Sequence, residues 1–253
     1  MTHFVKTRRD GSVLEITLDR AEKKNALTGA MYDQLSVALK VANDESGVGA
    51  VLIQGSGGVF TAGNDIGDFL AYAMNPARPS GDSPAIRFIK ALVANQKPLV
   101  ACVDGVAVGI GTTLLLHCDF VVASPRAVFH TPFVDLGLVP EAGSSLLLPR
   151  RIGPAKAAEM LMLGRRIDAD EALAIGLINE LIDTDHVIPH TLELTHKLAA
   201  KPRLAMQAAR RLAHGDKSEL LARVEEESRL FGEALQSEEA RLAFTAFMSR
   251  PKN

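Results

Sequence analysis

Alternation of apolar and polar positions predicts that the chain begins with a β-hairpin. The segments Phe4 to Arg8 and Val13 to Asp19 flank a turn at Asp10-Gly11, and apolar and polar residues alternate strictly through the core of the second segment. This pattern is typical of half-buried strands. Val48 to Gln54 and Pro98 to Val103 are instead almost continuously apolar, which indicates strands inside a sheet with both faces covered.

Helical spacing appears between the strands and then dominates the C-terminal quarter. Thr28 is a suitable N-cap for a helix whose apolar residues, from Met31 to Ala42, recur every three or four positions. Beyond about His186 only helical periodicity remains. We predict four helices there, over His186 to Ala200, Pro202 to Ala213, Lys217 to Leu235 and Ser237 to Ser249. We expect subunit contacts in this region, because its apolar residues need more cover than these helices supply.

Two glycine-marked turns separate predicted strands from predicted helices. The first is Ala62-Gly63 before Asp65, and the second is Gly109-Ile110-Gly111. Such turns place free backbone N–H groups beside a helix start. From the residues alone two interpretations stay open: two such amides bind a developing oxyanion, or the glycines permit close packing of helix on strand. The second turn lacks the Lys-Ser/Thr ending and the glycine spacing of nucleotide loops, so we exclude nucleoside triphosphate binding.

The stretch from Val128 to Arg150 contains the most unusual acid of the sequence. Glu141 lies in a Pro-Glu-Ala-Gly loop between two apolar runs, where proline and glycine indicate a fixed, non-helical backbone. Loops held by rigid flanks often carry catalytic groups, but a solvated loop acid or a helix start would also explain the position. We interpret the polar neighbours more simply: His130 as packed and hydrogen-bonded, Ser144 and Ser145 as helix caps, and Asp135 as a weaker rival acid.

Composition narrows the classes of function. With 253 residues, 47% of them hydrophobic, the chain can form one large domain or one domain with an appendage. A net charge of −2 without a long basic run argues against nucleic acid as a partner. No apolar run approaches the roughly 18 residues of a membrane span, and the N-terminus lacks the apolar segment of a secretion signal, so we expect a cytoplasmic protein. Cys102 and Cys118 have no metal or disulfide spacing and are interpreted as buried free thiols, and no metal site is expected.

Several motifs, taken in order, resemble the enoyl-CoA hydratase/isomerase family, also called the crotonase superfamily. The similar segments lie between Val13 and about Ile182 and are Asn25-Ala-Leu, Phe60-Thr-Ala-Gly-Asn-Asp-Ile, Lys97-Pro, Asp104-Gly-Val-Ala-Val-Gly-Ile-Gly, Cys118-Asp, Gly153-Pro-Ala-Lys-Ala-Ala-Glu-Met, Glu171-Ala and Gly176-Leu-Ile. The resemblance implies an α/β fold, with a crotonase-like spiral of repeated β-β-α units over residues 1–190. It also implies a C-terminal helical trimerisation region over residues 191–253, so a homotrimer or a dimer of trimers is expected.

The same resemblance implies an acyl-CoA thioester as the substrate, with coenzyme A present only as part of it and no separate cofactor. The thioester oxygen would accept hydrogen bonds from the backbone amides of Asn64 and Ile110, and the Ile110 side chain would narrow the pocket. Lys23, Lys24 and Lys97 are candidates for phosphate contacts, although solvated surface lysines would look the same. The loop from Ala73 to Pro84 would shape the acyl pocket. The residues expected to bind the substrate are Lys24, Ala26, Ala62, Gly63, Asp65, Ile66, Gly109, Phe133 and Leu138.

Two departures from the family pattern favour isomerisation over hydration. Hydratases of the family carry a pair of glutamates, and the matching positions here are Thr113 and Phe133. By contrast, Phe129 to Phe133 followed by Pro140-Glu141 resembles peroxisomal-type Δ3,Δ2-enoyl-CoA isomerases, in which the glutamate after proline is the catalytic base. We therefore expect Glu141 to move a proton in a 3-enoyl-CoA and so give the 2-enoyl-CoA. The alternatives are an enoyl-CoA hydratase and a family member that binds acyl-CoA without turnover.

Overall fold

The computed structural model describes residues 4–73 and 83–249. Residues 74–82, which belong to the predicted pocket loop, lie outside the described residues. The strands are β1 (Val5–Asp10), β2 (Val13–Leu18), β3 (Ala50–Gly55), β4 (Leu99–Val103), β5 (Val106–Val108), β6 (Phe120–Ala123), β7 (Val128–His130), β8 (Ile167–Asp168) and β9 (Glu180–Leu181).

The helices connect these strands and then form the C-terminal region. They are α1 (Gly29–Asp44), α2 (Ile66–Ala73), α3 (Pro84–Ala94), α4 (Ile110–Thr113), α5 (Ser144–Ile152), α6 (Pro154–Leu161), α7 (Ala169–Ala174), α8 (Val187–Ala199), α9 (Arg203–His214), α10 (Ser218–Leu235) and α11 (Glu238–Met248). Within residues 4–73 and 83–249, short 3-10 turns lie at Ala21–Lys23, Leu114–His117 and Val134–Leu136.

The strands form two sheets. The larger sheet has the order β1-β2-β3-β4-β6-β9, in which β1 pairs antiparallel with β2 and every other neighbouring pair is parallel. The smaller sheet has the order β5-β7-β8. Two successive units give their first strand to the larger sheet and their second strand to the smaller one: β4 and β5 before α4, and β6 and β7 before α5. This is the spiral of repeated β-β-α units that the motifs predict.

Strand β2 is more buried than its alternating sequence predicts. In a half-buried strand, Val13 and Glu15 should lie on the solvent face, opposite to Leu14 and Ile16. Both residues are nevertheless buried. The reason is that α8 covers the second face of the sheet, where Val187 packs in one apolar cluster with Val13 and Leu52. The buried Glu15 carboxylate pairs with Arg8 at 2.6 Å. A helix more than 170 residues along the chain leaves no signal in the local pattern of β2, so the half-buried prediction was wrong for this strand.

The predicted start of α1 is confirmed. Thr28 accepts a hydrogen bond from the Met31 N–H at 3.3 Å and so acts as the N-cap. Helix α1 then buries the apolar face expected from its periodicity, including Leu35 and Leu39, against the main core.

The C-terminal helices differ in how they contact the rest of the chain. Val224 of α10 and Phe244 of α11 are buried in the main core. Leu204 and Leu212 of α9 are instead 81% and 78% exposed. The division at residue 190 falls inside α8, and the two-part organisation stays a prediction.

Three further observations concern the whole described chain. Among residues 4–73 and 83–249, no helix is long and apolar enough to cross a membrane. The same residues contain no group of three or more His, Cys, Asp or Glu side chains that could hold a metal ion. Cys102 and Cys118 are buried free thiols, as expected.

Candidate active site

Glu141 lies in a tight loop between the 3-10 turn Val134–Leu136 and α5, and the residue is only 9% exposed. Phe133 and Leu138 from the same stretch are also buried. The rival acid Asp135 is exposed. The interpretation of Glu141 as a solvated loop acid is therefore wrong, because its side chain is buried.

Burial is the main cause that raises the pKa of Glu141 to about 8. The Thr113 hydroxyl opposes this rise, since its Oγ1 donates to Glu141 Oε1 at 2.5 Å and stabilises the charged form. The negative charge of Glu227 raises the pKa further. The carboxyl group can therefore occur in both protonation states near neutral pH, which suits a group that takes up and returns a proton.

The backbone that follows Glu141 has an unusual conformation. Ala142 and Gly143 have φ angles of 60° and 71°, in the left-handed region that residues with a Cβ rarely adopt. The Ala142 carbonyl accepts a hydrogen bond from His117 Nε2 at 2.8 Å. The Gly143 N–H donates to Glu227 Oε2 at 2.6 Å. Helix α5 begins at the next residue.

Ser144 and Ser145 do not cap α5, so this sequence-based interpretation was wrong. The N-cap is Gly143, which has no side chain to accept a hydrogen bond. Glu227 of α10 takes this role instead, since its Oε1 accepts from the Ser145 N–H at 2.9 Å and from Ser145 Oγ at 2.5 Å. The Ser144 hydroxyl is buried and has no hydrogen-bond partner among the described residues. A carboxylate satisfies several helix N–H groups and interacts favourably with the helix dipole.

The two glycine turns meet as neighbouring parts of one site. Thr61 forms a parallel bridge with Ala107. The Thr61 N–H donates to the Val106 carbonyl, and the Val108 N–H donates to the Thr61 carbonyl, each at 3.0 Å. A Cβ atom added to Gly63 would lie 2.6 Å from the Val108 carbonyl oxygen. Glycine is therefore required at position 63 for the two turns to approach this closely.

Among the described residues, the backbone N–H groups of Gly111, Asn64 and Ile110 are free donors of these turns, and the last two are the pair expected at the thioester oxygen. Within the described part of the chain neither group donates a hydrogen bond, whereas the amides of Gly63, Asp65 and Gly109 beside them all do. Ile110 is the first residue of α4, so its N–H has no partner within the helix. Its side chain is buried in the main core, and the predicted narrowing of the pocket by this side chain stays a prediction.

A buried tyrosine orients the Asn64 side chain. The Tyr32 hydroxyl donates to Asn64 Oδ1 at 2.5 Å, and Tyr32 is 4% exposed with its ring centroid 5.7 Å from that of Phe88. Burial raises the pKa of Tyr32, and the charge of Glu141 raises it further. Sequence reasoning assigned no role to Tyr32.

The expected binding residues near the first turn are close in space. The Ala62 N–H donates to the Lys24 carbonyl at 2.9 Å, and the Ala26 carbonyl accepts from Arg20 at 3.0 Å. Asp65 precedes Ile66 of α2 and forms an ion pair of 2.7 Å with Arg20. The Asp65 carboxylate is thus held by the protein, and a role in substrate binding for this set of residues stays a prediction.

The three lysines considered for phosphate contacts differ in exposure. Lys23 and Lys24 are exposed. Lys97 is only 2% exposed, and its Nζ donates to the Val48 carbonyl at 2.8 Å and to the Glu45 carbonyl at 3.3 Å. Burial lowers the pKa of Lys97. Its assignment as a phosphate contact was therefore wrong, because its ammonium group satisfies buried backbone carbonyls.

A cavity of about 640 Å³ lies between α3 and α9, away from Glu141. It is lined by apolar residues such as Val93, Leu204 and Leu221 and by none of the residues expected in the site. The Arg210 side chain at its edge pairs with Asp119 at 2.8 Å. The buried acid and the free amides, rather than this cavity, contain the candidate chemistry.

The family model described as enoyl-CoA hydratase/isomerase matches residues 8–253. The chain belongs to the enoyl-CoA hydratase/isomerase family. The crystal structure of an enoyl-CoA hydratase/isomerase from Pseudoalteromonas atlantica has the same fold, with a TM-score of 0.92 and 38% identity over 99% of each chain. These matches confirm the crotonase-like fold that the motifs imply.

Relatives in this family are named for more than one reaction. The chain is 43% identical over 153 residues to enoyl-CoA delta isomerase 2 of Rattus norvegicus, a match that covers 60% of this chain and 39% of that protein. Three relatives named as enoyl-CoA delta isomerases are matched over only 39% to 49% of their own lengths. The chain is also 33% identical over 247 residues to 2,3-dehydroadipyl-CoA hydratase of Escherichia coli, a match that covers 96% of this chain and 94% of that protein.

The enoyl-CoA hydratase/isomerase family pattern explains part of the site and leaves part unexplained. The family motifs locate Glu141, Asn64 and Ile110. They do not indicate His117 or Glu227, which bind the backbone beside Glu141. Glu227 lies in a helical region with ordinary periodicity and contacts Gly143 from 84 residues away. No local signal in the sequence distinguishes it from the exposed acids of α10.

Proposed function

We propose that this protein is an enoyl-CoA isomerase that moves the double bond of a 3-enoyl-CoA to the 2-position. The observation that carries the proposal is the buried carboxyl group of Glu141, which has a pKa raised to about 8 and a hydroxyl rather than a second acid as its direct partner. Thr113 and Phe133 occupy the positions where hydratases of the family have glutamates. Neither can activate a water molecule as a base.

The reaction would need one base and one oxyanion site. The Glu141 carboxylate removes a proton from C2, and the electron pair of that C–H bond forms the enolate of the thioester. The N–H groups of Asn64 and Ile110 donate to the enolate oxygen and lower the energy of this intermediate. The Glu141 carboxyl then returns the proton at C4, which leaves the double bond between C2 and C3. The charge and the number of protons are unchanged over the whole cycle.

The other nearby acid is unsuitable as a second base. Both carboxylate oxygens of Glu227 accept hydrogen bonds from Gly143 and Ser145. Asp65 is held in the same way by Arg20. Among the described residues, Glu141 is therefore the acid that best fits proton transfer to and from a substrate carbon.

Substitution of Glu141 tests the proposal. Glu141→Gln keeps the size of the side chain but removes the base, so isomerisation of 3-enoyl-CoA should fall by at least about 10³-fold while acyl-CoA binding is kept. The matched control is Asp135→Asn, which changes the exposed rival acid and should retain wild-type turnover. Retention of most activity by Glu141→Gln would contradict the assignment.

Product analysis separates the alternatives. An isomerase converts 3-enoyl-CoA to 2-enoyl-CoA, whereas a hydratase converts 2-enoyl-CoA to 3-hydroxyacyl-CoA. A protein that only binds acyl-CoA would give no turnover above buffer. In a one-base isomerase, deuterium at C2 of the substrate should appear partly at C4 of the product, because the same carboxyl carries it. A panel of 3-enoyl-CoA thioesters of different chain length would also give the acyl preference.

Exposed apolar residues in the C-terminal helices bear on the assembly of the protein. We infer a homotrimer or a dimer of trimers, supported by the exposed Leu204 and Leu212 of α9, which are 81% and 78% exposed in the single chain. Light scattering on the purified protein would give the subunit number. The cytoplasmic location expected from composition stays a prediction.

A further inference from the structure

We propose that His117 and Glu227 are positioning residues that hold one peptide group from both ends and thereby direct the Glu141 carboxyl group into the site. The kinetic part of this inference rests on the proposed isomerase function. The structural part concerns only the loop and can be measured without any activity.

The two contacts meet on the same peptide. The carbonyl oxygen of Ala142 accepts from His117 Nε2 at 2.8 Å, and the N–H of Gly143 donates to Glu227 Oε2 at 2.6 Å. This carbonyl and this N–H belong to the single planar peptide unit between Ala142 and Gly143. Fixing both ends fixes the rotation of that plane. Glu141 immediately precedes Ala142, so the direction of its Cα–Cβ bond depends on this rotation.

The loop needs such support because its backbone is strained. Ala142 has a φ of 60° although it carries a Cβ, and residues of this kind persist in the left-handed region only when surrounding contacts hold them there. Without the two contacts the peptide could rotate toward a more common conformation. The carboxyl group would then leave the position in which it meets Thr113.

Both positioning side chains are buried and well defined. His117 is 5% exposed and Glu227 is 4% exposed. Burial lowers the pKa of His117 to about 4, so near neutral pH the ring is uncharged and donates from Nε2 to the carbonyl. Glu227 accepts from two backbone N–H groups and the Ser145 hydroxyl. Both oxygens of its carboxylate are therefore used in holding the loop.

One short segment supplies three of the groups that define the site. Ile110, Thr113 and His117 lie at intervals of three and four residues along α4 and the following 3-10 turn. They contribute, in order, a free amide, the hydroxyl on Glu141 and the donor to Ala142. Residues at such spacing share one face of a helical segment. This segment fixes the relative position of the oxyanion amide and the acid, and Glu227 completes the support from the C-terminal region.

Conservative variants test the positioning role. Glu227→Gln keeps the shape but replaces one of the two acceptor oxygens by a donor, and we expect kcat to fall about tenfold or more while KM changes less than about twofold. His117→Leu removes the donor to Ala142 and should act in the same direction, whereas His117→Gln should restore part of kcat. The matched control is Glu226→Gln, which changes the next acid of α10, whose side chain is 57% exposed and pairs with Arg223.

Hydrogen exchange supplies a readout that is independent of catalysis. Backbone amides in a peptide covering residues 138–148 should exchange faster in Glu227→Gln and His117→Leu than in the wild type or Glu226→Gln, while β4 stays protected. Glu141→Gln should keep the slow exchange. If the wild type shows no isomerase activity, the proposed function fails, and these exchange rates still decide the loop inference.

Two results would overturn the inference. One is wild-type kcat and wild-type loop exchange in Glu227→Gln. The other is an equal loss of protection in the loop and in β4, which would show that Glu227 and His117 stabilise the whole fold rather than the position of Glu141.

Discussion

The two sides of the candidate site are built from different kinds of group. On the amide side, the donors are backbone N–H groups of Asn64 and Ile110, placed by strand pairing and by Gly63 at the contact of two turns. On the acid side, the group is the side chain of Glu141, held through Thr113 and through loop contacts from distant elements. The first arrangement depends on backbone geometry, and the second depends on the identity of several side chains.

The two sides of the site should therefore respond differently to amino-acid substitution. A backbone donor survives a change of side chain at its own position, because the N–H group belongs to the main chain. A side-chain acid keeps its pKa and direction only while its hydrogen-bond partners are present. We therefore expect the amide side to be sensitive to glycine replacement and the acid side to be sensitive to polar replacement.

After Glu141→Gln, the largest effect is expected from Gly63→Ala. The added Cβ would lie 2.6 Å from the Val108 carbonyl oxygen, and the φ of 85° at Gly63 is unfavourable for alanine. The two turns must move apart, which misplaces both amide donors. Loss of one oxyanion donor typically costs about 2.7 to 4 kcal/mol of barrier, so kcat for the isomerisation should fall by about 10²-fold or more.

The control for this prediction is Gly176→Ala. Gly176 has a similar φ of 77°, but a Cβ there would meet no atom within 4 Å. Its unfolding temperature should therefore fall through backbone strain alone, without a matching loss of kcat. If Gly63→Ala lowers stability as Gly176→Ala does but keeps its kcat, the amides at these turns do not stabilise the intermediate.

The next effect is expected from Thr113→Val, and it depends on pH. The Thr113 hydroxyl lowers the pKa of Glu141 by stabilising the carboxylate, so its removal should raise the pKa above about 8. The base is active when it is deprotonated, and fewer molecules would be active at neutral pH. A hydrogen bond to a charged group contributes about 1.5 kcal/mol or more, which corresponds to about tenfold lower kcat/KM at pH 7.

The dependence of kcat/KM on pH distinguishes an effect on the pKa of Glu141 from an effect on its orientation. The rise of kcat/KM with pH should shift to higher pH in Thr113→Val, and the difference from the wild type should shrink once both carboxyl groups are ionised. Thr113→Ser keeps the hydroxyl and should follow the wild-type profile. A Thr113→Val profile that is lower at every pH without a shift would mean that the hydroxyl only orients the acid.

The sequence predicted the amide side better than the acid side for a physical reason. Local patterns contain the glycine turns and strands, and the order of the family motifs pointed to Asn64, Ile110 and Glu141 as candidates. The support for Glu141 comes from tertiary contacts, such as the one that Glu227 makes with Gly143 across 84 residues. The periodicity of the α10 sequence shows that the segment is helical and which of its faces is apolar. It does not show which acid enters the core.

The sequence-based predictions that proved wrong share one cause. The pattern of β2 contains no trace of α8, and the composition around Lys97 does not show that its ammonium group lies against backbone carbonyls. The serines at the start of α5 are ordinary capping residues by type, but a buried carboxylate from another helix takes that role. Local propensity fails in each case where a distant element supplies the partner.

The smallest effect is expected from Tyr32→Phe. This variant tests whether the position of the Asn64 backbone amide also depends on a side-chain hydrogen bond. The variant keeps the buried ring beside Phe88 and removes the hydroxyl that donates to Asn64 Oδ1. An ordinary hydrogen bond contributes about 1 kcal/mol, so kcat should fall about fivefold, with little change in KM. Measured kcat and KM for 3-enoyl-CoA would check this.

Asn64→Ala completes the test, because it removes the same hydrogen bond from the other partner and keeps the backbone N–H at position 64. If the bond acts by orienting the turn, the double variant should be no slower than the slower single variant, since both changes break one interaction. Multiplied losses would instead show that Tyr32 and Asn64 act separately. Wild-type kcat in all three variants would mean that backbone pairing alone positions this amide. The amide side would then depend only on backbone geometry, and the acid side only on side-chain contacts.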